Sequence, residues 1–209
     1  LEIVLGIDNI IFISLVTQDL DPKIQPKARQ LGIGLAMLFR VLMLLGITWL
    51  IGLTAPIFEL GNHPVSGRDA ILFFGGVFLL AKASTEIVKK TEGRGHVNER
   101  KSSTLVGAII QIGLLDIVFS FDSVLTAIGM TENIAIMVIA VVISMGIMLV
   151  FAKPIGDYIE KHVALQILAL SFLIMIGTVL IAESAHVEIP KPYVYSSVGF
   201  ALVVQLLSI

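Results

Sequence analysis

Apolar runs of about 20 residues follow one another along almost the whole chain, and that length leaves few folds open. In hydrocarbon every backbone N–H and C=O needs an internal partner, so such runs are expected to be helices. Seven segments are read: 1–17, 31–54, about 69–89, 103–129, about 132–152, about 164–184 and 193–209. Of the 209 residues 56% are hydrophobic and 14% charged, where a soluble domain carries roughly a quarter charged residues. Mean hydropathy is +0.98. The expected fold class is all-α: a polytopic transmembrane helical bundle of about seven helices, one transmembrane domain over 1–209.

The polar stretches between the runs set the expected boundaries. Asp21-Pro22-Lys23 to Arg29 precedes the second segment. Pro56 and the turn Gly61-Asn62-His63-Pro64 end it. A charged loop runs from Lys89 to Lys101, and Ser102 or Ser103 can cap the fourth segment. Thr131-Glu132-Asn133 opens the fifth, Lys153-Pro154 ends it, and 155–163 reads as a short amphipathic piece. Loops 1–2, 3–4 and 5–6 hold ten Lys and Arg residues and the other loops two, Arg68 and Lys191. The positive-inside rule then places the N-terminus outside and the C-terminus in the cytoplasm. Starting at Leu1 and stopping at Ile209 inside apolar runs, the chain reads as a fragment trimmed at both ends.

One short phrase occurs twice. The first copy is Leu1-Glu2-Ile3-Val4-Leu5-Gly6-Ile7-Asp8-Asn9-Ile10, and the second is Leu115-Asp116-Ile117-Val118-Phe119-Ser120-Phe121-Asp122-Ser123-Val124. The copies open segments 1 and 4, and an odd number of crossings inverts one relative to the other. The chain is therefore expected to hold two inverted three-helix repeats, about 1–90 and 103–184, followed by a seventh helix at about 193–209.

The repeat places two acids per copy inside hydrocarbon, where ionisable residues are costly and default to function. At about 1.5 Å per residue, Asp8 and Glu2 lie roughly 13 and 22 Å from the cytoplasmic end of segment 1. Asp122 and Asp116 lie roughly 12 and 21 Å from the outer end of segment 4, so all four acids fall in the central slab of an antiparallel pair. Asp8 and Asp122 stand about 120° around the helix from their partner acids, and a break near Gly6 or Ser120 would bring both to one centre.

Four carboxylates with Asn9 and Ser123, joined by Ser14 and Thr126, make an oxygen-rich set suited to hard divalent cations. Four such anions cannot all stay ionised in apolar surroundings without cations, which points to metal binding, protonation or exchange of one for the other. The competing reading makes the acids structural, paired with Arg40 and Lys82. Arg40 lies about 14 Å into its segment, too deep to snorkel, and is expected to meet an acid. Lys82 and Glu86, four apart, are expected to pair with each other, and Glu183 to be interfacial.

Other classes find little support. The chain has no cysteine, which removes disulfides, thiolate metal sites and cysteine nucleophiles. The net charge of −2 and the lack of a basic block with interleaved aromatics give no sign of nucleic-acid binding. Ser120 and Ser123 have no histidine near them in sequence, so a serine hydrolase is a poor reading and no enzyme is expected. His63, His96, His162 and His186 lack ligand spacing and read as structural or solvated. The methionines, Met137, Met145 and Met148 among them, read as packing or lipid-facing residues. Gly32/Gly34 and Gly75/Gly76 read as close-packing positions.

At the two acid phrases, and at Ala169-Leu170-Ser171-Phe172-Leu173, the chain resembles the TerC family of integral membrane proteins, in the branch of YgdQ-like members. The family is named for tellurium resistance and is grouped with LysE-type exporters. Its members are associated with manganese export and metal homeostasis, and some carry a C-terminal CBS-type domain. The resemblance implies that the family's acidic positions are Glu2, Asp8, Asp116 and Asp122, with Asn9 and Ser123 following the two aspartates.

The expected function is export of a divalent cation, Mn²⁺ foremost, in exchange for protons. The metal set is Glu2, Asp8, Asn9, Asp116, Asp122 and Ser123, and the supporting or gating set is Arg40, Lys82, Glu86 and Ser120. The metal ion is cargo, and no prosthetic group is expected. The expected partners are metal ions, the lipid bilayer, and either further copies or other membrane proteins. The alternative is a membrane scaffold or chaperone in stress or insertion complexes, a role to which relatives have been linked.

Overall fold

The computed structural model describes residues 2–18, 20–60, 63–92, 104–130, 133–187 and 189–207. The order is α1 (Glu2–Thr17), α2 (Gln25–Leu45), α3 (Ile47–Gly52), β1 (Pro56–Leu60), β2 (His63–Ser66), α4 (Gly67–Thr91), α5 (Leu105–Met130), α6 (Ile134–Lys161), α7 (Val163–Ser184) and α8 (Lys191–Leu207). The protein is an all-α helical bundle apart from one hairpin. By length and composition α2, α4, α6 and α7 can each cross a membrane.

Local chemistry sets several of the helix ends. Pro26 stands in the first turn of α2, where its missing N–H costs nothing. Thr104 Oγ1 accepts from the backbone of Gly107 at 3.2 Å and so caps α5. The expected caps Ser102 and Ser103 lie outside the described residues. Asn133 Oδ1 accepts from Ala135 at 3.0 Å and caps α6.

Three boundaries differ from expectation. The segment expected at 31–54 starts at Gln25 and breaks at Gly46, whose N–H caps Leu42 at 2.8 Å; the residue with the poorest helix propensity after proline divides α2 from α3. The turn region after Pro56 is an antiparallel hairpin in which Phe58 faces Val65 and Leu60 faces His63. Lys153-Pro154 does not end a helix: α6 runs through Pro154 to Lys161. Proline removes one rung of the ladder, but neighbouring helices in a bundle can hold the backbone helical beyond it.

The chain forms two compact units. Unit 1 comprises residues 1–52 and 100–161, and unit 2 residues 53–99 and 162–209. In unit 1, α1 packs on α6 and α5, while α2 packs on α5 and α6. Gly32 lets α2 approach α5 closely, since a methyl there would stand 2.9 Å from Ile112 Cδ1. Gly34 has open space about it and no such role. Met137, Met145 and Met148 are buried packing residues of α6.

In unit 2, α4 packs along α7, and α7 also contacts α8. A methyl at Gly76 would stand 2.6 Å from the carbonyl oxygen of Gly177, and one at Gly177 would stand 2.9 Å from that of Gly76. The two backbones touch where neither residue has a side chain, as small residues permit in membrane helices.

Candidate functional site

Three of the residues that carry the repeated phrases have described, buried polar side chains in unit 1 on α5: Asp116 at 3% exposure, Ser120 and Ser123. They lie on one helix face because 116, 120 and 123 are four and three apart. Ser120 Oγ donates to Asp116 Oδ2 at 3.1 Å, and Ser123 Oγ donates to the backbone carbonyl of Ser120 at 3.2 Å.

Arg40 reaches this face from α2. Its Nε donates to Ser120 Oγ at 2.9 Å and lies 3.6 Å from Asp116 Oδ1. Arg40 is 1% exposed, so a deeply placed cation does meet an acid, and the serine hydroxyl joins the two charges. Here a carboxylate and a guanidinium of opposite charge close on one hydroxyl inside an apolar bundle.

Asn9, on α1 of the same unit, is buried, and its Nδ2 has no hydrogen-bond partner among the described residues. Glu2 and Asp8 lie on α1 and Asp122 on α5, but their side chains, like that of Thr126, fall outside the described residues. Among the described residues no group of three His, Cys, Asp or Glu side chains is close enough to hold a metal.

Lys82 and Glu86 belong to unit 2. Lys82 Nζ lies 2.9 Å from Glu86 Oε1, as the four-residue spacing predicts, and Lys89 Nζ meets the same oxygen at 2.9 Å. Glu183 is 3.9 Å from Arg68 Nη2.

Two constellations were not anticipated. Ser66 and Asp69 form a capping box at the start of α4: Asp69 Oδ2 accepts from the Ser66 backbone at 2.8 Å, and Ser66 Oγ accepts from the Asp69 backbone at 3.2 Å. The spacing Ser66-Gly67-Arg68-Asp69 before an apolar run is the signal that carries it. His186 Nε2 lies 3.2 Å from Asp69 Oδ2, and His186 has φ 60. It holds the left-handed position after α7 that glycine usually fills, with Val187 N–H bonding Ala182 O at 3.0 Å. In unit 1, Arg29 bonds Asp157 across α2 and α6 at 3.0 Å, a contact with no local sequence signal.

The profile described as "Integral membrane protein TerC family" matches residues 1–209. The chain belongs to the TerC family. It is an integral membrane protein. It is 48% identical to a "UPF0053 protein" of Haemophilus influenzae over 212 residues, covering 100% of this chain and 89% of that one. It is 46% identical to "UPF0053 inner membrane protein YgdQ" of Escherichia coli K12 over 209 residues, covering 100% and 88%. It is 43% identical to "UPF0053 protein YegH" of the same strain over 210 residues, covering 100% of this chain and 40% of the longer relative. No solved structure matches the chain.

Proposed function

We propose that this TerC-family protein exports a divalent metal cation, Mn²⁺ foremost, across the bacterial inner membrane in exchange for protons. The observation that carries the reading is the Asp116 carboxylate, kept at 3% exposure within a membrane-spanning bundle beside Arg40 and Ser120. Asp116 belongs to one of two copies of the same acid phrase, and Glu2 and Asp8 belong to the other. In this reading Glu2, Asp8, Asp116 and Asp122 take up the ion, and Asn9 and Ser123 complete its oxygen shell. Arg40 supplies one positive charge against four carboxylates, and a divalent cation with a proton, or protons alone, supply the rest.

The packing within each unit fits an inverted repeat. Exchanging α1 with α5 and α2 with α6 turns the α1–α6 contact into the α5–α2 contact, and both contacts exist. Exchanging α4 with α7 leaves their mutual contact unchanged. Alternating access between such repeats is the expected mode of movement.

The test is Mn²⁺ flux into proteoliposomes of the full-length protein, with Asp122→Asn in parallel. Saturable flux that the variant abolishes while still folding, with dependence on a pH gradient, is the expected result. Absence of flux of Mn²⁺, Mg²⁺, Ca²⁺ or Zn²⁺ from well-folded protein sinks the reading.

The Arg40–Asp116 pair itself favours a second reading, in which the acids are structural and the protein is a membrane scaffold or chaperone. Asp122→Asn then lowers abundance rather than metal tolerance. Neither reading involves a catalysed reaction.

A further inference from the structure

Beyond Pro154, α6 continues over residues 155–161, about two turns. Proline donates no backbone hydrogen bond, so these turns join the rest of α6 through a weakened ladder. Glu160 stands three residues after Asp157 and four after Gly156, which places it on the same side of this stretch as both.

That side meets Arg29 from the start of α2. Arg29 is 6% exposed. Its Nη1 lies 3.0 Å from Asp157 Oδ1, its Nη2 lies 3.7 Å from Glu160 Oε2, and its Nε donates to Thr17 Oγ1 on α1 at 3.3 Å. A methyl on Gly156 would stand 2.8 Å from Ser14 Oγ and 3.0 Å from Arg29 Nη1, so both side chains press on bare α6 backbone. The ends of α1 and α6 and the start of α2 converge on one guanidinium.

The cluster is incompletely bonded. Arg29 Nη2 and Ser14 Oγ are both buried and make no hydrogen bond among the described residues. A buried donor left unbonded carries a desolvation penalty, which a static support would be expected to avoid. The two acids, by contrast, reach water: the side chains of Asp157 and Glu160 are 46% and 34% exposed. A buried cation with an unmade bond, held by acids that water can solvate instead, is fixed less firmly than a fully bonded one.

We propose that residues 155–161 form a gate hinged at Pro154 and closing one end of unit 1, with Arg29 as the latch that holds it through Asp157 and Glu160. Release swings the stretch away at the proline and uncovers Ser14 on α1. The gate is independent of which solute the protein carries.

The lack of cysteine in this chain allows a direct test. Ser14→Cys is placed in full-length protein, in membrane vesicles, with the latch intact and with Asp157→Asn/Glu160→Gln. Labelling by a membrane-impermeant maleimide is timed in each. The thiol introduced by Ser14→Cys is expected to react slowly with the latch intact and at least about tenfold faster without it, the factor that losing one charge-assisted hydrogen bond is worth. Ala108→Cys, at a position of 0% exposure on α5, is expected to stay unreactive in both backgrounds. Equal protection of the Ser14→Cys thiol with and without the acids overturns the gate. Equal exposure of the Ala108→Cys and Ser14→Cys thiols on removing the acids also overturns it, because the acids are then supports of the whole unit.

Discussion

Arg40 of α2 and Asp116 of α5 approach to 3.6 Å with their side chains at 1% and 3% exposure, so each charge is buried against the other. Leaving either charge alone in apolar surroundings costs about 3–5 kcal/mol. Arg40→Met is expected to destabilise the protein by about that amount, and Arg40→Met/Asp116→Leu to recover most of the loss. Denaturation in detergent micelles measures the cycle. Additive losses would show that the two side chains are not coupled.

Ser120 joins that pair, accepting from Arg40 at 2.9 Å and donating to Asp116 at 3.1 Å. Hydrogen bonds to charged groups contribute about 1.5–3 kcal/mol each, so Ser120→Ala, which loses two, is expected to cost at least about 1.5–3 kcal/mol. Ser120→Thr keeps the hydroxyl and is expected to cost less. A neutral Ser120→Ala in the same unfolding assay contradicts the bridging role.

In unit 2 the contact of α4 and α7 depends on Gly76 and Gly177. Gly177→Ala places a methyl 2.9 Å from the carbonyl oxygen of Gly76, and overpacking of this kind costs about 1–3 kcal/mol. Gly146→Ala on α6 is the control, because a methyl there meets nothing within 4 Å. Melting temperatures of the purified proteins should separate the two, with only Gly177→Ala falling.

His186 combines a left-handed backbone, φ 60, with a 3.2 Å contact to Asp69. His186→Ala removes the contact and keeps the strain, whereas His186→Gly removes both. The alanine variant is therefore expected to be less stable than the glycine variant by about 1 kcal/mol. Equal stabilities would mean that the backbone relaxes once the imidazole is gone.

What the sequence determined on its own was local. Apolar run length marked the membrane helices. The four-residue spacing of Lys82 and Glu86 marked their pairing, observed at 2.9 Å, and the polar stretch Thr131-Glu132-Asn133 marked the opening of the helix that Asn133 caps. The pairing and the cap depend on neighbours within about one helical turn, and the run length on one continuous segment. The repeated acid phrase was also legible and drew attention to Asp116 and Ser120 before their packing was known.

Only the tertiary structure decided which helix each polar residue meets. Arg40 and Ser120 are 80 residues apart, Asp69 and His186 117, and Arg29 and Asp157 128. In a soluble helix the apolar stripe tells which face turns inward. A helix in lipid is apolar toward the lipid as well as toward its neighbours, so hydrophobic periodicity does not name its partner. Nor did local preference decide the length of α6, which runs through Pro154 to a backbone at Gly156 that Ser14 of α1 and Arg29 of α2 approach.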